Sequence, residues 1–291
     1  MLGRVLTAIV TPFRDDGGID FDSFQQLAQH VVDNGSDGIV VAGTTGESPT
    51  LDDDERIDLI RAGVDAVGDR ATVLAGTGTN DTRHSIRMTE AAHEVGADGF
   101  LVVTPYYNKP PQRGIVAHFE AIAPASDRPI VVYNIPSRVI VNIEPETMSR
   151  LAEIETVRAV KQAKPERDEA RHIVDLGLDL YAGDDNLLLP FLELGGIGVI
   201  SILAHIVGSQ MADEVRAAAD GDFARARELD AELAPAYEML AVATNPIPIK
   251  AALNLLGHDV GGYRLPLVPP TDGELAQIRD FLARLGLLVA A

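Results

Sequence analysis

A lysine and a tyrosine are the residues best suited to chemistry in this chain. The sequence holds only four lysines, Lys109, Lys161, Lys164 and Lys250. Lys161 alone ends a short β-rich run, Val157-Arg158-Ala159-Val160. Upstream, Ile130-Val131-Val132 ends in Tyr133 and leads into Asn134-Ile135-Pro136-Ser137-Arg138. A lysine in an apolar pocket loses part of its preference for the charged form. Its neutral amine can then attack a carbonyl. Lys161 at one strand end and Tyr133 at another suggest Schiff-base chemistry, with the phenol as proton shuttle. The plainer reading of a lone lysine is a solvated strand terminus, and only the surrounding pattern displaces it.

A recurring unit must position these residues. It runs from a helical pattern through glycine, often with an aspartate, into a β-rich run. It occurs as Asn34-Gly35-Ser36-Asp37-Gly38, as Val95-Gly96-Ala97-Asp98-Gly99, as Leu176-Gly177-Leu178-Asp179 and as Leu194-Gly195-Gly196-Ile197-Gly198. Glycine just past a helix end accepts the left-handed cap conformation. Strands are expected near residues 5–10, 38–42, 72–76, 99–103, 129–133, 157–161, 178–182 and 198–201. They are near-continuous apolar runs, the mark of a parallel sheet covered on both faces. Helical spacing separates them, as in Phe21, Phe24, Leu27, Ala28, Val31 and Val32 after Asp20. Thr50-Leu51-Asp52-Asp53 has the form of a capped helix start, and Pro165 suits the first turn of the sixth helix. Eight such units in about 205 residues imply an α/β fold, a (β/α)₈ TIM barrel. A doubly wound open sheet is the alternative, weakened by the lack of a Gly-x-Gly-x-x-Gly fingerprint after a strand. The β-rich runs stop near residue 207. Segments 208–219, 222–241 and 273–286 read as helices, and Asn245-Pro246-Ile247-Pro248 leads into another through Leu255. The expected division is a barrel over 1–206 and a helical appendage over 207–291.

In a barrel the chemistry sits at the C-terminal strand ends. That rule selects Thr11-Pro12-Phe13, Gly43-Thr44-Thr45-Gly46-Glu47, Thr104-Pro105-Tyr106-Tyr107, Tyr133 with Arg138, Lys161, Gly183-Asp184-Asp185 and Ser201. The Gly43 to Gly46 loop offers hydroxyls and close N–H groups that suit a small carboxylate. Arg138 can fork onto a carboxylate. Taken singly, these are a tight turn and a surface ion pair. Asp184 is expected to orient loop N–H groups or cap the seventh helix. Adjacent carboxylates diverge, and none of the seven histidines has a ligand spacing, so a metal site is not expected. Tyr106-Tyr107 is a candidate interface pair.

The bulk properties narrow the class. The chain has 291 residues, 46% of them apolar, and no cysteine, which removes disulfides, thiolate metal sites and a cysteine nucleophile. No apolar stretch is long enough for a bilayer, and Met1-Leu2-Gly3-Arg4 lacks the features of a signal peptide. The cytoplasm is the expected compartment. A net charge of −20 repels nucleic acid and anionic membranes. It also repels small anions, so a keto-acid site needs its own local positive field.

With these motifs in place, the chain resembles the dihydrodipicolinate synthase family of pyruvate-dependent class I aldolases, which are related to N-acetylneuraminate lyase. The resemblance covers nearly the whole chain. It rests on Thr7-Ala8-Ile9-Val10-Thr11-Pro12-Phe13, Gly43 to Glu47, Val103-Thr104-Pro105-Tyr106-Tyr107-Asn108 and Tyr133-Asn134-Ile135-Pro136. It continues through Val160-Lys161, Gly183-Asp184-Asp185, Gly198-Val199-Ile200-Ser201 and Asn245-Pro246-Ile247-Pro248. It implies that Lys161 forms a Schiff base with pyruvate and that no cofactor is needed. Tyr133, Thr44 and a neighbouring subunit's Tyr107 would form a proton relay. Thr45 would hold the pyruvate carboxylate and Arg138 that of L-aspartate-4-semialdehyde. Gly183 and Ile200 would line the pocket through backbone atoms. The resemblance further implies at least a dimer, usually a homotetramer. Gln162 departs from the family's frequent acidic residue. Ser48, Asn80 and Tyr106 match an interface site for inhibitory lysine, but Arg56 and His84 stand where histidine and glutamate are frequent. Weak or absent lysine feedback is therefore expected. The alternatives are a 2-keto-3-deoxy sugar acid aldolase, a sialic acid lyase or a non-catalytic homologue.

Overall fold

The structure, a computed structural model, describes residues 2–289. Its strands are β1 (Val5–Ala8), β2 (Gly38–Val41), β3 (Thr72–Gly76), β4 (Gly99–Val103), β5 (Ile130–Asn134), β6 (Val157–Gln162), β7 (Asp179–Ala182) and β8 (Gly198–Ser201). They close into a barrel in sequence order. Each lies within two residues of its expected position, and the parallel β1–β8 ladder rules out the open sheet.

Side chains alternate along each strand. Leu6, Val40, Leu74, Leu101, Val131, Ala159, Tyr181 and Ile200 cluster inside the barrel. Val5, Ile39, Val41, Val73, Val132 and Val160 join the larger core between strands and helices. Both faces are thus dry, which explains the continuous apolar runs.

The glycine–aspartate repeat has a physical explanation. Gly35, Gly96 and Gly177 end helices at φ values of 103°, 95° and 78°. Asp37 Oδ2 accepts from the backbone N–H groups of Arg4 and Val5 at 2.6 and 3.0 Å. Asp98 Oδ2 accepts from Val73 N–H at 2.8 Å. Each aspartate therefore ties its own strand to the start of the neighbouring one.

The helices that wrap the barrel are α1 (Phe21–Asp33), α2 (Asp53–Val67), α3 (Thr82–Glu94), α4 (Gln112–Ile122), α5 (Pro136–Val139), α6 (Pro145–Ala152), α7 (Arg167–Asp175) and α8 (Leu188–Leu192). Asp20 caps α1, and Asp52 with Glu55 forms a capping box on α2. Pro165 precedes α7 instead of opening it, because Glu166 is the N-cap. After β8 come α9 (Ala204–Ala219), α10 (Phe223–Leu240), α11 (Ile247–Leu255) and α12 (Asp272–Arg284). Helix α9 packs on β1, on α1 and on α10, so it joins the barrel to the helices beyond. Among the described residues no helix is long and apolar enough to cross a membrane.

Barrel closure leaves no room at Gly198, where a Cβ would stand 1.8 Å from the Arg4 carbonyl oxygen. That oxygen accepts the Val199 N–H at 2.8 Å. Gly198→Ala should therefore destabilise the fold by about 3 kcal/mol in urea unfolding, at the upper end of overpacking losses. An unchanged midpoint would show that the β1–β8 seam can yield.

Candidate active site

A cavity of 360 Å³ is lined by residues from the C-terminal strand ends and from the segment joining α10 to α11. The barrel supplies Thr44, Thr45, Tyr133, Arg138, Lys161, Gly183 and Asp184 among others, α10 supplies Tyr237, and the segment after it supplies Thr244 and Asn245.

Strand alternation puts Lys161 on the inward side of β6, two residues beyond buried Ala159. In the β5–β6 register its direct partner is Tyr133. Lys161 Nζ lies 4.5 Å from the centre of the Tyr133 ring, and the residue is only 5% exposed. Among the described residues no carboxylate reaches ion-pairing distance of this amine. Burial pulls the Lys161 pKa from 10.5 down to about 8, with Asp184 and Asp185 opposing the shift and Arg138 adding to it. Burial raises the Tyr133 pKa above its ordinary value; Asp184 adds to this, whereas Arg138 and the Thr44 hydroxyl oppose it. The phenol therefore stays protonated and can donate beside the amine.

The loop after β2 is held from several sides. Thr11 Oγ1 donates to Gly46 O at 2.7 Å, and Asn245 Nδ2 donates to Thr45 Oγ1 at 3.0 Å. Arg138 projects from α5 into the cavity lining. It makes no salt bridge among the described residues, so its guanidinium is free for a ligand.

The two aspartates divide their work differently from the sequence-based expectation. Asp185, not Asp184, orients the loop: it accepts from Ser201 Oγ and from the N–H groups of Ile202 at 3.1 Å and Leu203 at 3.3 Å. Asp184 makes no capping bond and lines the cavity. Burial raises the Asp184 pKa, while Lys161 and Arg138 pull it back. The loop after β7 thus sets the Asp185 carboxylate against the end of β8, and both aspartates line the cavity. Among the described residues no group of three His, Asp or Glu side chains could hold a metal ion.

Other candidates fall into two groups. Gly183 lines the cavity, whereas Ile200 is buried in the barrel interior and Ile202 lines the cavity nearby. Tyr107 is 87% exposed, at φ 70°, and is absent from the lining. Arg56 is buried and its Nη2 donates to Ser48 O at 2.6 Å, with its Nε left unpartnered. Asn80 O accepts from Asn108 Nδ2 at 2.8 Å, and His84 Nε2 lies 2.8 Å from Asp53 Oδ1. Tyr106 is half-buried near Arg56. The sequence-based site lacked Tyr237 and the Asn245–Thr45 contact. Helical spacing marks neither, and the Asn245-Pro246 motif alone hinted at the second.

Asp185→Ala would strand three donors that now face one buried carboxylate. The expected loss of unfolding free energy is about 2–3 kcal/mol, the range for a charged hydrogen-bonding partner. A loss below about 0.5 kcal/mol would show that the β7 and β8 loops do not depend on it.

The chain matches the dihydrodipicolinate synthetase family over residues 1–285. It is 48% identical to the 4-hydroxy-tetrahydrodipicolinate synthase of Heliobacterium modesticaldum over 288 residues, 98% of this chain and 96% of that protein. It is 49% identical to the enzyme of the same name from Moorella thermoacetica, covering 98% of this chain and 99% of that one. The structure of the Cyanidioschyzon merolae family member with lysine bound superposes with a TM-score of 0.97 at 43% identity, over 99% of each chain. That of dihydrodipicolinate synthase from Aquifex aeolicus gives 0.95 at 42% identity, over 98% of each. The lysine, the barrel and the strand-end loops thus occur together along a full-length match, and the chain belongs to the dihydrodipicolinate synthetase family.

Proposed function

We propose that this chain condenses pyruvate with L-aspartate-4-semialdehyde through an imine on Lys161, the activity named for its relatives. The observation that carries this reading is an amine buried beside a phenol, with its pKa drawn down to about 8, on the wall of a cavity that also holds a free arginine. Lys161 Nζ attacks the keto carbon of pyruvate, and loss of water leaves a protonated imine. The imine draws electrons from the methyl group, a proton leaves, and an enamine forms. The enamine carbon adds to the aldehyde, whose oxygen takes up a proton. The semialdehyde amine then adds to the imine carbon and expels Lys161, closing the ring.

In this reading Tyr133 carries protons to and from the reacting centre, with Thr44 beside it. Thr45 and the nearby N–H groups receive the pyruvate carboxylate. Arg138 receives the semialdehyde carboxylate, and Gly183 and Ile200 shape the pocket by their backbone. Tyr107 completes the relay of a neighbouring subunit, in keeping with its exposure. That role needs at least a dimer, and we infer a homotetramer acting in the cytoplasm. A monomeric variant exists among the structural relatives. The unpaired Arg138 favours this reading over a sugar-acid aldolase or a silent homologue. Weak or absent inhibition by lysine follows from His84, which stands where the family often has a glutamate, so the inhibitor's ammonium loses a carboxylate partner. His84 already engages Asp53. Half-inhibition by sub-millimolar lysine would contradict that expectation.

Borohydride added with pyruvate should place a reduced adduct on Lys161 alone, read by peptide mass spectrometry. Lys161→Ala should abolish both the adduct and turnover. Arg138→Ala should keep the adduct and raise the KM for the semialdehyde by about tenfold or more, a loss of about 1.4 kcal/mol of binding. A semialdehyde KM unchanged in that variant would remove Arg138 from the site and with it the substrate assignment.

A further inference from the structure

A buried charge pair that the proposed reaction does not use holds the loop after β2. Glu47 ends that loop, and Lys250 lies in α11; both side chains are 0% exposed. Lys250 Nζ donates to Glu47 Oε1 at 2.8 Å and to Thr11 O at 2.9 Å. The ammonium also lies 4.4 Å from the centre of the Phe13 ring. The other Glu47 oxygen accepts from Arg264 N–H at 3.2 Å. The Arg264 side chain forks onto both Glu55 oxygens at 2.6 Å and reaches the carbonyls of Gly17 and Thr50. Within the same loop, Asn245 binds Thr45 just ahead of α11.

Stability alone does not account for this pair. Replacing a buried ion pair by apolar groups of similar volume is often neutral or stabilising, because desolvation cancels much of the attraction. What the pair does supply is register. Glu47 and Ala42, at the two ends of the loop, are non-glycine residues in left-handed backbone, each at φ 55°. Such residues persist only where their surroundings over-determine them. The Lys250–Glu47 and Asn245–Thr45 contacts approach the loop from α11 and from a residue two positions before it.

We propose that Lys250 and Glu47 are positioning residues, which lock the Thr44–Thr45 loop to α11 and so set where the carboxylate cradle stands. The proposal rests on the reading that this loop receives the pyruvate carboxylate. The affinity for pyruvate then depends on a helix of the C-terminal region that touches no substrate through Lys250.

The test is the pair variant Glu47→Gln/Lys250→Met, which removes both charges at nearly constant volume. Amide exchange at residues 43–48 should speed up about tenfold or more while exchange in β4 and β5 stays within about twofold. The pyruvate KM should rise about tenfold, with kcat within about threefold of the parent. An unchanged loop, an equal rise of exchange throughout the chain, or a faster loop with an unchanged KM would each overturn the proposal. Should the pair variant not fold, Glu47→Gln alone takes the same two measurements, with the same outcomes deciding. The parent protein is trapped with pyruvate and borohydride in parallel. An untrapped parent would mean that the pyruvate reading had failed, and amide exchange would still decide whether the lock exists.

Discussion

Everything in the site depends on keeping one amine away from water. A lysine at its ordinary pKa is almost wholly protonated at neutral pH. At about 8, about a tenth of the molecules carry the free amine at pH 7. Burial at the inner end of β6 achieves this, and the opposing fields of Asp184 and Asp185 limit it. The barrel supplies that burial because Lys161 occupies an inward position whose neighbours in register are Tyr133 and Tyr181. The same register sets the phenol beside the amine.

Charge is the second constraint. The chain carries a net −20, and Asp184 brings a carboxylate into the cavity itself. The proposed reaction therefore assigns its anionic substrates to short-range groups, chiefly Arg138, the hydroxyls of Thr44 and Thr45, and nearby N–H groups. An unpaired arginine at the mouth of an acidic protein is consistent with that need. The loop bearing the hydroxyls is in turn held by α11, so the helices beyond the barrel belong to the working site.

Much of this was legible in the sequence because it is local. Each strand is a short apolar run, and Gly35-Ser36-Asp37 and Gly96-Ala97-Asp98 mark strand starts by a turn and a bond to the preceding strand. Lys161 and Tyr133 stand out because their runs end on a polar group. The rest depends on contacts that no spacing records. Asn245 meets Thr45 across 200 residues and Lys250 meets Glu47 across 203. The loop bonds expected of Asp184 fall to Asp185, because sequence alone does not say which of two adjacent carboxylates meets the N–H groups after β8. Pro165 misplaced a helix start because proline is as suited to the residue ahead of an N-cap as to the first turn.

The most direct measurement is a ¹⁵N NMR titration of the lysine side chains, feasible in a chain with only four lysines. The Lys161 signal, assigned by its loss in Lys161→Met, should titrate near pH 8. Titration near the ordinary value of 10.5 would contradict the account, because the amine would then be charged and unreactive at neutral pH.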